Sequence, residues 1–446
     1  MNAMKNWLEL TKKNNIDFSS TDTFDCINID SLNREQKFAY DTVNHHLNEE
    51  KQLLMIMIGE GGTGKTFTIN AISQLLGIHL LKCAPTAKAA FLIKGETCHR
   101  LFSITPKKKF SALENQDLFF QEVKFKKIKF IVIDEFSMLS QEMFGIIDKR
   151  LRQIKKKNRE LFGGLSIILT GDLGQLNPVG GSSLYSKSLK TSYLQLQGFH
   201  SFKQFKEVVR LESLMRQTLS CDIDNDQKRF IELLPRLRNG QPTEDDWKLL
   251  MTRTSNIAID KEFKDATNIF PTNNQVNERN ELKLKELEQK IVRLKAINSS
   301  YIVKNSTSDN FNGLENELYL AIQAKIQLTS NLWTSTGLTN GQHGVIQDII
   351  YPDSYSLDSL PETIIVHFPN YIGPQFFSDE IKHNWLPLST TTIFCDYLKG
   401  SRTQYPLRLA YALTIHKCQG QTIDKCVIDI GTREISAGLT YVAFSR

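Results

Sequence analysis

The stretch GEGGTGKT, Gly59 to Thr66, confines the fold of this chain more than any other. It matches G-x-x-x-x-G-K-[ST], follows directly on the apolar run LLMIMI and leads into the helix-compatible FTINAISQLL. That order demands a strand, a glycine loop and a helix whose free N–H groups and dipole favour an anion. A glycine turn that binds nothing is the competing reading, and the strand before and helix after speak against it. Lys65 is placed to reach the β- and γ-phosphates of a nucleotide, and the Thr66 hydroxyl to ligate magnesium.

Further short apolar runs follow the same style. HLLKCA (79–84), KFIVID (129–134) and LSIILT (165–170) are nearly unbroken and bounded by polar or turn residues. Strands buried on both faces of a parallel sheet look like this. Between two of them, Met143, Phe144, Ile147, Leu151 and Ile154 recur at helical spacing. The alternation predicts an α/β doubly wound domain over roughly residues 30–200. Asp134-Glu135 closes one strand, where one carboxylate can hold magnesium and its neighbour can polarise water. Thr170-Gly171-Asp172, with Gln175 beyond, closes the next; a polar side chain there could sense a γ-phosphate, and a solvated turn is the plainer alternative.

The remainder is less regular. Residues 226–250 look helical with breaks at Pro235 and Asn239-Gly240, residues 277–291 read as a charged helix, and 292–325 resist assignment. From about 326 to 400 short β-like runs point to an all-β insertion, and the last forty residues return to the α/β pattern. A length of 446 residues calls for several domains, and the net charge of +6 leans only mildly toward polyanions. Seven scattered cysteines without a C-x-x-C pair fit a reducing interior, with neither a disulfide framework nor a zinc site. No run approaches a membrane span, and the N-terminus reads as a polar leader.

Further stretches carry a resemblance. LNREQ (32–36), APTAKAA (84–90), TCHRLF (97–102), DEFSM (134–138), GDLGQLNPV (171–179), LESLMRQ (211–217), GLTNGQHGVI (337–346), LTIHKCQGQT (413–422) and YVAFSR (441–446) occur in the order of superfamily-one helicases. The set most resembles the PIF-type DNA helicases, relatives of the RecD-like group. The span 145–176 is similar to the segment that marks out PIF-type enzymes, and the resemblance covers about residues 30–446.

The resemblance implies two RecA-like P-loop motor domains with parallel sheets, a small wedge insertion and an SH3-like all-β insertion. Their implied boundaries are a leader at 1–29, a first motor domain (1A) at 30–205 with the wedge (1B) at about 97–127, a second motor domain (2A) at 206–325 and 403–446, and the β insertion (2B) at 326–402. ATP and magnesium are the implied cofactors. Gln36 would read the adenine edge, and Gly59, Gly61, Gly62, Thr63, Gly64, Lys65 and Thr66 would cradle the phosphates. Asp134 with Thr66 would hold magnesium, Glu135 would activate water, Gln175 would couple the γ-phosphate to movement, and Arg216 and Arg446 would be arginine fingers.

Pro85, Thr86, Thr97 and His99, and separately Thr414, His416 and Lys417, would contact nucleic acid. Lys88 reads either as a phosphate contact or as a surface lysine. The activity implied is unwinding of duplex DNA by a monomer moving 5′ to 3′ on single strands, acting at single-strand/duplex junctions and not at a membrane. The implied setting is intracellular replication, recombination or repair, nuclear in a eukaryotic or viral host or else mitochondrial. Asn177 and Ala87 depart from the family's usual proline and glycine without touching a charged position. An RNA-directed helicase and a binding module without turnover are the alternatives. Family members continue beyond the last arginine, so the chain is expected to be part of a longer polypeptide.

Overall fold

The computed structural model describes residues 6–14, 27–104, 110–178, 180–187, 192–213, 225–254, 261–352, 359–395, 398–419, 421, 423–434 and 438–445. The chain forms two compact units: Asp22–Thr254 with Ser436–Ser445, and Met1–Thr21 with Ser255–Ile435.

The first unit is built on α2 (Arg34–Asn48), β1 (Leu54–Gly59), α3 (Lys65–Leu76), β2 (Leu80–Ala84), α4 (Ala87–Leu92), β3 (Glu96–Thr97), α5 (Cys98–Leu101) and α6 (Asn115–Phe125). It continues through β4 (Phe130–Ile133), α7 (Gln141–Lys155), β5 (Ser166–Gly171), α8 (Tyr193–Phe202), β6 (Glu207–Leu211), α9 (Asn225–Arg238) and α10 (Glu244–Met251), and ends with α14 (Leu439–Phe444). The strands form one six-stranded sheet in the order β3-β2-β4-β5-β1-β6, and every pairing in it is parallel. β4 and β5 are buried along their whole length, whereas edge strand β6 alternates toward solvent. Successive residues feed opposite layers, as a pleated strand requires. Ile131 and Ile133 join a core with α7, while Phe130 and Val132 join one with α2 and α3.

Several expectations shift in detail. β6 carries the first sheet past the boundary expected at residue 205, and α9 runs through Pro235 without breaking there. Asn239-Gly240 does end that helix, with Gly240 at φ +69°.

The segment 145–176 is held by a buried carboxylate. Asp148 on α7 is fully buried and accepts from Arg152 Nε and Nη2 (2.9 and 3.0 Å), the Phe162 N–H (2.7 Å), Gln197 Nε2 (2.8 Å) and Ser201 Oγ (3.0 Å). One turn away, α7 and α8 meet backbone to backbone. A Cβ on Gly145 would overlap the Leu194 carbonyl, and one on Gly198 would overlap that of Gln141.

The second unit holds β7 (Thr267–Phe270), with β18 (Ala412–Thr414) and β19 (Cys426–Ile428) parallel on either side, and α11 (Asn273–Lys285). The remaining strands are β8 (Val292–Lys295), β9 (Ile297–Asn298), β10 (Glu317–Leu320), β11 (Lys325–Leu328), β12 (His343–Ile350), β13 (Thr363–His367), β14 (Trp385–Leu388), β15 (Thr391–Cys395), β16 (Gly400–Gln404) and β17 (Leu407–Leu409). They form antiparallel sheets ordered β14-β13-β12-β11-β17, β15-β16-β9 and β10-β8. The β-rich region therefore takes in β8–β10 and β17, beyond the expected 326–402.

Two short helices complete this unit, α12 (Tyr301–Lys304) and α13 (Ile415–Cys418). The expected polar leader contains α1 (Trp7–Asn14), whose Trp7 and Leu8 pack on the β-region core; Trp7 meets Phe376 edge-on at 5.3 Å. Arg402, wholly buried, donates to Asn298 Oδ1 and to the carbonyls of Leu314, Val303 and Ser306, and so organises the stretch 298–316. Among the described residues no helix is long and apolar enough to cross a membrane.

Candidate nucleotide site and nucleic-acid loops

Strand polarity collects the first unit's candidate residues at one edge, since parallel strands all end on the same side. The loop after β1 needs its glycines. Gly62 and Gly64 hold φ +89° and +82°, and a Cβ on Gly59 would overlap the Thr63 hydroxyl. Lys65 and Thr66 open α3, and Lys65 Nζ donates to the carbonyls of Gly59 and Glu60, both at 2.8 Å. Thr63 donates its hydroxyl to the Glu60 carbonyl at 2.9 Å. Gly61 lies where an added Cβ would be 3.8 Å from the Ser445 carbonyl, so α14 ends against this loop.

Gln36 is completely buried at the third position of α2. Its Oε1 accepts from the Asn33 N–H in a capping box, and its amide donates to the Thr63 carbonyl at 3.3 Å. The side chain thus ties LNREQ to the phosphate loop.

Asp134 and Glu135 follow β4. Asp134 is buried and accepts a short hydrogen bond from the Thr170 hydroxyl of β5. Burial pushes its carboxyl above the ordinary value, opposed by the Thr170 hydroxyl and the Lys65 charge. Glu135 is half-buried and sits in the left-handed region, φ +52° and ψ +42°. Gln175 is buried too, in the loop after β5, with its N–H on the Asp172 carbonyl at 3.3 Å. Asp172 is fully buried, which overturns the solvated-turn alternative for this loop.

The hard oxygens of Thr66 and Asp134 are of the kind magnesium takes. A buried carboxylate held above its ordinary pKa is also one that a cation would stabilise in its ionised form. The donor set fits the ion.

β2 and β3 pair with Ala84 opposite Thr97, which sets Pro85-Thr86 beside Thr97-His99. Both threonines act as N-caps: Thr86 Oγ1 accepts from the Ala89 N–H and Thr97 Oγ1 from the Arg100 N–H, each at 3.3 Å. Burial lowers the pKa of His99, and burial alone brings that of Lys88 down to about 8. In the second unit Thr414 is buried at the end of β18, and His416 and Lys417 stand exposed on α13. Gln421 donates to the Lys417 carbonyl at 2.6 Å and meets His343 Nε2 at 3.3 Å, joining LTIHKCQGQT to GLTNGQHGVI. Arg216 and Arg446 lie outside the described residues.

Sequence reasoning missed Arg238. Its Nε and Nη2 donate to Asp172 Oδ1 at 3.1 and 2.8 Å, and its Nη1 is 3.7 Å from Glu60 Oε1. Tyr441 was read only as part of YVAFSR, yet its buried hydroxyl donates to Asp172 Oδ2 at 2.8 Å. The only local signal for Arg238 is a cation in the last turn of a helix before Asn-Gly.

A parallel sheet with a phosphate loop after β1, an acidic pair after β4 and a buried polar loop after β5 defines a RecA-like P-loop NTPase motor domain. Residues 31–248 match the family model described as PIF1-like helicase. That span is just under half of the chain. It is 29% identical over 397 residues to the ATP-dependent DNA helicase PIF1 of Danio rerio, an alignment covering 87% of this chain and 56% of the relative. The chain therefore spans little more than half the length of that relative. It is also 29% identical over 441 residues to the ATP-dependent DNA helicase Pif1 of Campylobacter jejuni, covering 92% of this chain and 88% of that one. Among solved structures, that of two coordinating Pif1 helicases unwinding DNA at forked duplexes superposes with a TM-score of 0.69 at 26% identity. That match covers 93% of this chain and 89% of the other.

Proposed function

We propose that this chain is an ATP-dependent DNA helicase that moves 5′ to 3′ on single-stranded DNA and opens duplexes with magnesium-ATP. The observation that carries the reading is the shared edge of the first sheet. The phosphate loop, Asp134-Glu135 and Gln175 stand there together with the paired loops Pro85-Thr86 and Thr97-His99. The ATP-dependent DNA helicases to which the chain is similar support the choice of nucleotide and of DNA.

In this reading Gly59–Thr66 wraps the phosphates, and Gln36, whose amide holds the Thr63 carbonyl, is the residue that would read the adenine edge. Thr66 and Asp134 would hold magnesium, which when bound offsets charge on the phosphate oxygens. Glu135 takes the proton of the attacking water, Gln175 positions that water and senses the γ-phosphate, and Arg216 and Arg446 meet the charge that develops on transfer. Pro85, Thr86, Thr97 and His99 hold the strand on one unit, and Thr414, His416 and Lys417 hold it on the other. The parallel strands around β7 form the second motor, the antiparallel sheets help to hold DNA, and residues 97–127 split the duplex.

The test is unwinding of 5′-tailed and 3′-tailed DNA duplexes at fixed salt, with Lys65→Ala as control. Opening of the 5′-tailed substrate alone is expected. Opening of the 3′-tailed one alone would reverse the polarity. Turnover stimulated by RNA and not by DNA, or no greater than that of Lys65→Ala, would overturn the reading.

A further inference from the structure

We infer that Asp172 is a positioning residue that clasps the nucleotide site to the two chain crossings that flank Ser255–Ile435, with Arg238 and Tyr441 as its partners. The inference rests on the ATPase reading above.

The carboxylate is completely buried and fully used. Oδ1 accepts from the Gly174 N–H at 2.8 Å, which shapes the loop that carries Gln175, and from Arg238; Oδ2 accepts from Tyr441. Arg238 in turn faces Glu60, the second residue of the phosphate loop. Burial would lower the pKa of the guanidinium, but the Asp172 charge and hydrogen bonds more than offset it.

The packing is as close as the bonding. A Cβ on Gly174 would overlap Arg238 Nε, and one on Gly438 would come within 3.1 Å of the Gly174 carbonyl. This loop therefore has Arg238 against it on α9 and the start of α14 against it as well.

Connectivity gives the arrangement its meaning. Arg238 ends α9, shortly before the chain leaves the first unit after Thr254, and Tyr441 lies on α14, just after the chain returns at Ser436. The segments on either side of Ser255–Ile435 are thus tied to one carboxylate, three residues before Gln175. A change at Glu60 or Gln175 is passed to these two segments through Asp172, by way of Arg238 for one and Tyr441 for the other, without rearrangement of the sheet. Direct bonding of this kind is what couples residues non-additively.

The test uses the whole chain with magnesium-ATP and a saturating 5′-tailed DNA duplex. It reads kcat, KM, base pairs opened per ATP and the thermal midpoint of Tyr441→Phe, Arg238→Ala and Arg238→Lys. Tyr441→Phe keeps the ring and removes one hydrogen bond, so it is expected to lower base pairs opened per ATP by about threefold with KM for ATP within about twofold. Arg238→Ala is expected to lower kcat by about tenfold or more, and Arg238→Lys, lacking the fork, to restore less than about half of it.

Wild-type yield of unwinding per ATP in Tyr441→Phe would overturn the inference while leaving the ATPase reading intact. So would losses that vanish once activity is expressed per folded molecule. A wild-type chain without ATP turnover would remove the ATPase reading and this inference with it.

Discussion

At the scale of the residue, Glu135 holds a costly backbone geometry at the proposed nucleotide site. A non-glycine residue at φ +52° carries a cost of about 1–3 kcal/mol, borne because β4 and the turn Phe136–Met138 fix it on either side. Glu135→Gly is therefore expected to gain roughly 1 kcal/mol in denaturant unfolding while phosphate release falls by about 100-fold or more. Glu135→Gln should lose turnover to the same degree without the gain in stability. Lys88 offers a second test, because burial brings its pKa down to about 8. Its charge is present below that value and lost above it. If Lys88 holds a DNA phosphate, affinity for single strands falls as pH rises from 7 to 9, and Lys88→Arg flattens the profile. Burial lowers the pKa of His99, which moves its titration away from that interval. Fluorescence anisotropy at constant salt decides it, and a flat wild-type profile would exclude Lys88 from the interface.

At the scale of the element, α7 and α8 depend on two devices. Asp148→Ala strands Arg152, the Phe162 N–H and Gln197 together, and is expected to cost about 3–5 kcal/mol. Gly198→Ala forces the helices apart at a backbone contact and is expected to cost about 1–3 kcal/mol. Both should appear in denaturant midpoints before they appear in nucleotide binding, since neither residue lies at the phosphate loop. These elements also mark what the sequence made legible. The phosphate loop, the acidic pair and the buried strands could be read because their signals lie within a few neighbouring residues. Residues 292–325 could not be read, because Arg402, which orders them, lies 88–104 residues away from its partners. Asp172 looked like a turn residue for the same reason: its partners Arg238 and Tyr441 are 66 and 269 residues distant. Pro235 misled in the opposite way, since α9 continues through it to Arg238.

At the scale of the whole molecule, the net charge of +6 is too small to bind DNA by bulk attraction. In the proposed function, binding to DNA rests on local contacts, and its salt dependence counts them. Affinity for single strands is expected to fall linearly in log–log form with salt, and Lys417→Ala to reduce the magnitude of that slope by about 0.7–1 at every sequence tested. An unchanged slope would remove Lys417 from the phosphate contacts. The division of the first unit between Asp22–Thr254 and Ser436–Ser445 also bears on how the protein is made. Tyr441 leaves the ribosome 269 residues after Asp172. At synthesis rates of roughly 5–20 residues per second, that delay is about 13–54 s. Once Arg238 has followed, 66 residues after Asp172, the nascent chain carries that pair without the phenol of Tyr441. The six-stranded sheet is therefore made well before α14, so the growing polypeptide passes through a long interval in which its phosphate loop exists before Tyr441 can reach Asp172.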